Sequence, residues 1–311
     1  MIVIAGGTGF LGRPLAAALA ADGHSISVLT RTRSGTDDRR GPRALSGSMA
    51  YVEWHPDGST GAWVNVIDGA EAVVNLAGES IAAGRWTSRR KARLVDSRLN
   101  ATRSLVNAIA AADKPPAVFV SASAIGYYGD RGDEALTEAS APGHDFLADL
   151  CVQWEREAMR ANTPRTRVAL IRTGIVLDPS GGALAKMLPP FKAFVGGPLG
   201  SGRQYMSWIH LIDWIRLVRW MISRDLVKGP IDATAPEPVR NRDFSKALGG
   251  ALHRPSLLPA PAPALRLLLG EMAGPLLLAS QRVIPARAQE SGFKFSYPRL
   301  APALQSLFAG I

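Results

Sequence analysis

Residues 1–12 read MIVIAGGTGFLG, and this stretch predicts how the fold begins. The apolar run at 1–5 has the length of a buried strand, and glycines follow it at positions 6, 7, 9 and 12. Helical periodicity starts directly after the last glycine. A strand, a tight glycine turn and a helix N-terminus in this order can hold a dinucleotide pyrophosphate, because glycine lets the backbone approach the phosphates closely. The alternative is a glycine-rich turn that binds nothing.

The composition indicates an ordinary globular chain. Its 311 residues are enough for one large α/β domain and a smaller unit. The net charge of +10 raises nucleic acid or a membrane surface as partners, but the basic residues are spread along the chain without a recognisable nucleic-acid motif. We therefore expect a small-molecule substrate and neither of those partners. The five histidines show no metal-ligand spacing, so we expect no metal.

The apolar stretch at 265–280 is interrupted by charged residues, glycine and proline, which argues against a membrane span. We see no signal-peptide pattern and expect a cytoplasmic protein. The single cysteine, Cys151, excludes an intramolecular disulfide.

Apolar strands alternate with helices along most of the chain. This pattern predicts an α/β fold, a doubly wound parallel sheet of the Rossmann type. We expect a dinucleotide-binding domain with substrate-side insertions at 1–235 and a small helical domain at 250–305. The final segment of the chain, 264–311, is expected to be helical. A polar loop is expected at 32–48. The predicted strands are 1–5, 25–30, 51–54, 72–77, 117–122 and 168–173, and the predicted helices are 11–21, 88–112 and 145–161.

The end of the second predicted strand indicates which dinucleotide is bound. An acidic residue at this point binds the ribose hydroxyls of NAD, whereas a basic residue accommodates the 2′-phosphate of NADP. Here the strand ends in Thr30 and continues with Arg31, Thr32 and Arg33. A guanidinium matches phosphate geometry and the threonine hydroxyl can add a bond, so we favour NADP(H). The alternative is a solvated basic loop.

Motifs along nearly the whole chain resemble one enzyme family. The motifs are GGTGFLG at 6–12, NLAGESI at 75–81, RW at 85–86, SRLNATRSLV at 97–106, SASAIGYYGD at 121–130, RTGIVLD at 172–178, GGPLGSGRQYMSWIHLIDW at 196–214, FSKALG at 244–249 and GEMAGPLLLASQRVIPARAQESGF at 270–293. They are similar to those of the extended and atypical short-chain dehydrogenase/reductases, and more narrowly to NADP-dependent epimerase-family oxidoreductases with a small C-terminal domain.

The resemblance implies a set of cofactor contacts. The glycine turn would line the pyrophosphate, Thr30 and Arg31 would hold the adenosine phosphate, and Val176 would lie near the nicotinamide. For Arg93 the alternative is a solvated helix face. The remaining implied contacts are Gly6, Thr8, Gly9, Phe10, Leu11 and Gly12 in the turn, Leu76 and Ala77 after the fourth strand, and Arg93 and Arg98 on the long helix.

The resemblance is incomplete where the chemistry should lie. Such reductases usually combine a serine with a Tyr-x-x-x-Lys pair, in which the lysine lowers the pKa of the tyrosine that transfers the proton. Ser123 matches the serine, but Leu147 and Cys151 occupy the tyrosine and lysine positions. Tyr127 and Tyr128 are the nearest phenols, and we take Ser123 and Tyr127 as the catalytic candidates. The alternative for both tyrosines is packing within a structural loop.

Other polar residues in the substrate half have structural interpretations. We expect His210 to be a bonded core histidine, Asp213 to cap a helix start, and Cys151 to pack in a helix rather than act as a nucleophile. Trp208 and Trp214 are expected in the core or a pocket wall.

Three functions remain open on the sequence. We favour an NADP(H)-dependent reductase or dehydrogenase acting on a small organic substrate. The second is a nucleotide-sugar epimerase or dehydratase, although such enzymes normally need the tyrosine that is missing. The third is a non-catalytic NADP(H)-binding module that reports redox state to a partner. A homodimer is a further interaction that the sequence leaves open.

Overall fold

The computed structural model describes residues 1–31 and 49–309, so the whole of the expected loop at 32–48 lies outside the described residues. The strands are β1 (Ile2–Ala5), β2 (Ile26–Thr30), β3 (Met49–Glu53), β4 (Ala72–Asn75), β5 (Val118–Ala124), β6 (Ala135–Leu136), β7 (Arg167–Thr173), β8 (Ile175–Leu177), β9 (Tyr205–Met206), β10 (Trp208–His210), β11 (Gly229–Ala233), β12 (Val239–Arg240) and β13 (Arg282–Val283). The helices are α1 (Gly12–Ala21), α2 (Ser88–Ala111), α3 (Phe146–Met159), α4 (Gly182–Lys192), α5 (Leu211–Ser223), α6 (Asn241–Leu252), α7 (Ala262–Leu269), α8 (Ala286–Glu290) and α9 (Leu300–Phe308).

The central sheet is parallel and has the strand order β11-β7-β5-β4-β1-β2-β3. The chain winds outward from β1 through β2 to β3, and then outward on the other side from β4. The strand order therefore reverses between β1 and β4, which makes their carboxyl ends the expected ligand crevice. This confirms the predicted doubly wound fold. The sequence missed the edge strand β11, because Pro230 and Asp232 interrupt its apolar character.

Helices cover both faces of this sheet. Along β1, Ile2 and Ile4 point into a core with α1 and α5, while Val3 and Ala5 point into a second core with α2 and α3. Side chains alternate across a strand, so a continuous apolar run is what burial on both faces requires.

A smaller region covers the carboxyl-end side of the sheet. In it β8 pairs with β10, β9 with β12, and β6 with β13. Helix α9 packs with α6, α4 and β8 in one apolar cluster, so the C-terminal residues share a core with the middle of the chain. The expectation of one helical segment at 264–311 is wrong, because strand β13 and several loops divide it. Among the residues described, no helix is both long and apolar enough to cross a membrane.

Candidate functional site

The glycine turn after β1 is packed so tightly that side chains are excluded. Gly6 has a φ of +78°, and a Cβ added there would lie 2.7 Å from the carbonyl carbon of Leu76. A Cβ at Gly12 would lie 2.2 Å from the carbonyl oxygen of Gly6. The turn is closed by a hydrogen bond from the Gly9 amide to the Gly6 carbonyl, at 3.0 Å. Backbone therefore meets backbone on both sides of the turn, as a phosphate cradle at a helix N-terminus requires.

The ring of Phe10 connects this turn to the start of α4. A Cβ on Gly181 would lie 2.4 Å from Cδ2 of Phe10, and one on Gly182 would lie 2.8 Å from its Cε1. The ring is therefore covered by the backbone at the start of α4. The sequence indicated no role for these two glycines, so their position beside the turn was missed.

Thr30 and Arg31 follow directly from the strand next to β1. Ala5 is paired in register with Leu29, so Thr30 is level with the first glycine of the turn. Thr30 is partly buried and Arg31 is exposed. The next two residues of the predicted phosphate site, Thr32 and Arg33, lie outside the described residues.

Arg98 of α2 lies against the loop that follows β4, beside the crevice. Its side chain lies against Gly78, where an added Cβ would be 3.3 Å from both Cγ and Cζ of the arginine. The guanidinium is 5.2 Å from the Trp154 ring centre, and Nη1 donates to the Leu94 carbonyl at 3.1 Å. Burial lowers the pKa of Arg98, and the nearby thiol of Cys151 acts in the opposite direction.

Arg93 lies in different surroundings from Arg98. It is exposed and bonds to Glu79, which also accepts a bond from Arg90. These hydrogen bonds lower the pKa of the Glu79 carboxyl. The two arginines are five positions apart on α2, so they point in directions about 140° apart. Val176, the last predicted contact, is buried in the core beside Ile209.

Ser123 belongs to a buried polar network at the carboxyl end of β5. Its hydroxyl donates to Oε1 of Glu155 at 2.6 Å. Arg172 binds both oxygens of that carboxylate, Nε to Oε1 and Nη2 to Oε2, each at 2.8 Å. Ser123 is 4% exposed and Glu155 8% exposed, so this cluster is almost fully shielded from water. The sequence identified only the serine, because Glu155 and Arg172 come from elements far along the chain.

The two tyrosines after Ser123 differ in their environments. Tyr128 is fully buried, donates to Asp232 at 2.8 Å and accepts from Arg172 at 3.0 Å. Burial and the neighbouring Asp232 raise the pKa of Tyr128, so it holds its proton. Burial and Glu138 likewise raise the pKa of Asp232. Tyr127 is partly buried, and its ring centre is 3.5 Å from the Arg172 guanidinium carbon.

Helix α3 presents apolar groups at the two positions where the resemblance places tyrosine and lysine. Leu147 is buried in an apolar cluster with Trp86, Leu94 and Met272. Cys151 is buried, and burial raises the pKa of its thiol to about 12, with Glu155 adding to the effect. A nucleophilic cysteine requires a lowered pKa, so the packing interpretation of Cys151 agrees with its environment.

C-terminal residues close the substrate side of this region. Gln281 donates to the carbonyls of Ile125 and Gly129, at 3.1 and 3.2 Å. Arg85 donates to the carbonyls of Leu267 and Leu268, at 2.6 and 2.9 Å. The segment after residue 260 therefore holds both the loop around Arg85 and the turn at 125–129.

Two neighbouring polar residues have structural roles, one of which corrects a prediction. His210 is 3% exposed, stacks on Tyr297 and accepts a bond from the Ile212 amide, so it is the N-cap of α5. Asp213 is not the cap that the sequence predicted. It lies inside the first turn and accepts bonds from the amides of Ser296 and Tyr297, at 2.8 and 2.7 Å. Trp208 and Trp214 are fully buried, as expected. Across the described residues, no group of three or more metal-ligating side chains is placed to hold an ion.

Comparisons with known proteins agree with this architecture. Residues 2–231 match the NAD dependent epimerase/dehydratase family, and residues 260–307 match a domain of unknown function, DUF1731. The chain is 42% identical over 308 residues to the epimerase family protein SDR39U1 homolog, chloroplastic, of Arabidopsis thaliana, covering 98% of this chain and 86% of that protein.

Solved structures give the same result. The crystal structure of human epimerase family protein SDR39U1 (isoform 2) with NADPH has a TM-score of 0.88 and 31% identity, covering 100% of this chain and 99% of the human chain. The nucleoside-diphosphate sugar epimerase from Corynebacterium glutamicum has a TM-score of 0.75 and 33% identity, covering 99% of this chain and 58% of its own. On its motifs, its sheet topology and these matches, the chain belongs to the NAD dependent epimerase/dehydratase family.

Proposed function

We propose that this protein is an NADP(H)-dependent oxidoreductase that acts on a small organic substrate. The observation that carries the proposal is the glycine turn at the point where the strand order reverses, because its backbone leaves no room for a Cβ at Gly6 or Gly12. A relative solved with NADPH, at 31% identity over the whole chain, supports the choice of cofactor.

The proposed cofactor contacts follow the crevice from one end to the other. The turn residues Gly6, Thr8, Gly9, Phe10, Leu11 and Gly12 would line the pyrophosphate. Thr30 and Arg31 would bind the adenosine phosphate. Leu76 and Ala77 would pass alongside, and Val176 would lie near the nicotinamide. When bound, the cofactor supplies or accepts a hydride.

Arg93 and Arg98 complete the proposed contacts, with unequal roles. Arg98 brings a partly buried guanidinium near Cys151, the position where the resemblance places lysine. It therefore offers a cation at the place where the chain lacks one. Arg93 is exposed and already paired with Glu79, so its share in binding is the smaller.

Ser123 and Tyr127 are the proposed catalytic residues. Both touch the Arg172–Glu155 pair, Ser123 through Glu155 and Tyr127 through its ring. Tyr128 is unsuited to the role because its proton is held by Asp232. Tyr127 has no lysine beside it, so Ser123 is the better-placed group for handling a substrate proton.

The first test is the preference between the two cofactors. In Arg31→Asp a charged hydrogen bond to the phosphate is lost, which corresponds to about 1.5 to 3 kcal/mol, or about 10- to 100-fold in NADPH affinity. Arg224→Asp is the matched control, because it makes the same charge change at an exposed position just before edge strand β11, on the side of the sheet away from the turn. Fluorescence titration with NADPH and NADH gives both affinities. Unchanged NADPH binding in Arg31→Asp would refute the phosphate assignment.

The second test is hydride transfer itself. A panel of ketones, aldehydes and alcohols is screened by the change in NADPH absorbance with the cofactor-loaded protein. Turnover that Ser123→Ala abolishes supports the proposal. If the protein binds the cofactor but neither oxidises nor reduces it across the panel, the result would instead favour the non-catalytic binding module. The missing Tyr-Lys pair is the observation that suggests this alternative.

A nucleotide-sugar epimerase is the remaining candidate, because a 33% identical structure carries that name. Leu147 stands where such enzymes need a tyrosine, which counts against it here. Turnover of a nucleoside-diphosphate sugar with copurified NAD would reverse this ranking. The division into domains at 1–235 and 250–305, a cytoplasmic location and a homodimer stay predictions.

A further inference from the structure

The single proton of Ser123 is already committed inside the protein. A serine hydroxyl has one hydrogen to donate, and here it goes to Glu155 Oε1 at 2.6 Å. A carboxylate can only accept, and two bonds from Arg172, one to each oxygen, fix the orientation of Glu155. Ser123 is 4% exposed and also neighbours the Cys151 thiol, so its lone pairs are what its hydroxyl has left for a ligand that reaches it.

The position of Glu155 explains how a carboxylate comes to be there. Leu147, Cys151 and Glu155 follow one another at intervals of four residues on α3, so they lie on one face of the helix. The first two side chains are buried and apolar in character. The one ionisable group of this face that bonds to Ser123 is therefore Glu155, one helical turn beyond the position where the resemblance places lysine.

The surroundings limit the rest of the ligand. An apolar cluster of Trp86, Leu147 and Met272 lies on the same side of α3. Two nearby lysines are engaged by the protein, Lys91 of α2 with Glu271 at 3.0 Å and Lys186 of α4 with the Ala82 carbonyl at 2.7 Å. These surroundings favour an uncharged apolar body over a diphosphate.

We propose that Ser123 and Glu155 form an acceptor pair for the hydroxyl of a secondary alcohol with an apolar body, an inference that rests on the proposed oxidoreductase function. In the oxidising direction the alcohol's carbinol hydride passes to NADP⁺, and its hydroxyl proton passes to Ser123 Oγ. The proton of Ser123 moves at the same time to Glu155 Oε1. A carbonyl forms and the cofactor is reduced. Once the product has left, the neutral Glu155 returns the proton through Ser123 to water that enters the crevice. Glu155 acts through Ser123 and is a positioning residue.

The test compares two ligands that cannot react. 2-Phenyl-2-propanol has no carbinol hydrogen to lose, and acetophenone cannot be reduced when the cofactor is NADP⁺. Both are titrated against the NADP⁺-loaded and cofactor-free protein by ligand-observed NMR. One hydrogen bond accepted by Ser123 corresponds to a preference for the alcohol of about 2- to 10-fold. A ketone bound as tightly as the alcohol, or no binding of either, would overturn the inference.

Three variants separate the acceptor pair from a merely structural role. Ser123→Ala is expected to remove the preference, and Ser123→Thr to keep it because the hydroxyl remains. Glu155→Gln can donate to Ser123 and free its proton, so the ratio should move toward the ketone. If Glu155→Gln does not fold, the two serine variants still decide the matter. An unchanged ratio in Ser123→Ala would refute the pair.

The outcome is distinguishable from failure of the proposed function. The oxidation of 1-phenylethanol by NADP⁺ is followed separately by absorbance. The expected ligand ratio without any hydride transfer would leave the acceptor pair standing and count against the oxidoreductase. Hydride transfer together with a preference for the ketone would do the reverse.

Discussion

Asp213 and Asp243 occupy the same position in two helices, which allows one tertiary contact to be measured. Each is the third residue of its helix, α5 and α6 respectively, and so meets a similar helix dipole. Asp213 is fully buried and accepts bonds from the amides of Ser296 and Tyr297. Asp243 is exposed. The substitutions Asp213→Asn and Asp243→Asn therefore differ mainly in what lies beyond the helix.

The expected difference follows from the bonds that an amide cannot make. Asparagine keeps one acceptor oxygen, but its amino group would face the second backbone N–H. One charged hydrogen bond, about 1.5 to 3 kcal/mol, is lost, and the other weakens to a neutral bond. We expect Asp213→Asn to lower the free energy of unfolding by about 2 to 4 kcal/mol. Asp243→Asn loses the dipole interaction, about 0.3 to 1 kcal/mol, and an exposed contact with Arg242 at 4.0 Å that contributes little.

Urea unfolding followed by tryptophan fluorescence gives both values from the midpoint and the slope. Limited proteolysis adds a local readout, because Asp213→Asn should expose the segment around Ser296 and Tyr297 to cleavage before the rest of the chain. Equal losses of stability in the two variants would refute the reasoning. It would mean that the buried carboxylate contributes through the helix alone and does not anchor the C-terminal segment.

Three further predictions concern the glycine turn, the two arginines of α2 and Cys151. Gly12→Ala should weaken NADPH binding at least tenfold because the added Cβ meets the Gly6 carbonyl. The control is Gly250→Ala on α6, where the added Cβ enters open space and binding should not change. Equal titration curves for the two variants would contradict the crowding argument. Arg98→Met should reduce NADPH affinity more than Arg93→Met, since Arg98 is partly buried beside the crevice and Arg93 is exposed and paired with Glu79. The opposite order would remove Arg98 from the site. Cys151 should resist thiol reagents in the native protein. Its raised pKa contributes stability that is complete below about pH 9 and declines as the pH rises toward 12, and Cys151→Val should flatten that decline in unfolding experiments.

Predictions from adjacent residues agreed well with the structure. The first strand and helix were expected at 1–5 and 11–21 and are Ile2–Ala5 and Gly12–Ala21. The predicted strand at 168–173 is Arg167–Thr173. Buried parallel strands carry continuous apolar runs, so their positions can be read directly. Edge strand β11 carries a proline and an aspartate, and its pattern does not resemble a strand.

In the candidate site, too, some features could be predicted from neighbouring residues and others could not. Because a glycine turn depends on backbone conformations that neighbouring residues dictate, the sequence by itself determined the cradle at 6–12 and the strands that surround it. The partners of Ser123 are another matter. Glu155 and Arg172 lie 32 and 49 residues further along the chain, and Tyr128 bonds to Asp232 across 104 residues. Only the tertiary structure decided those contacts, since they depend on the strand order and on the face that α3 turns toward β5, which side-chain packing over the whole sheet selects.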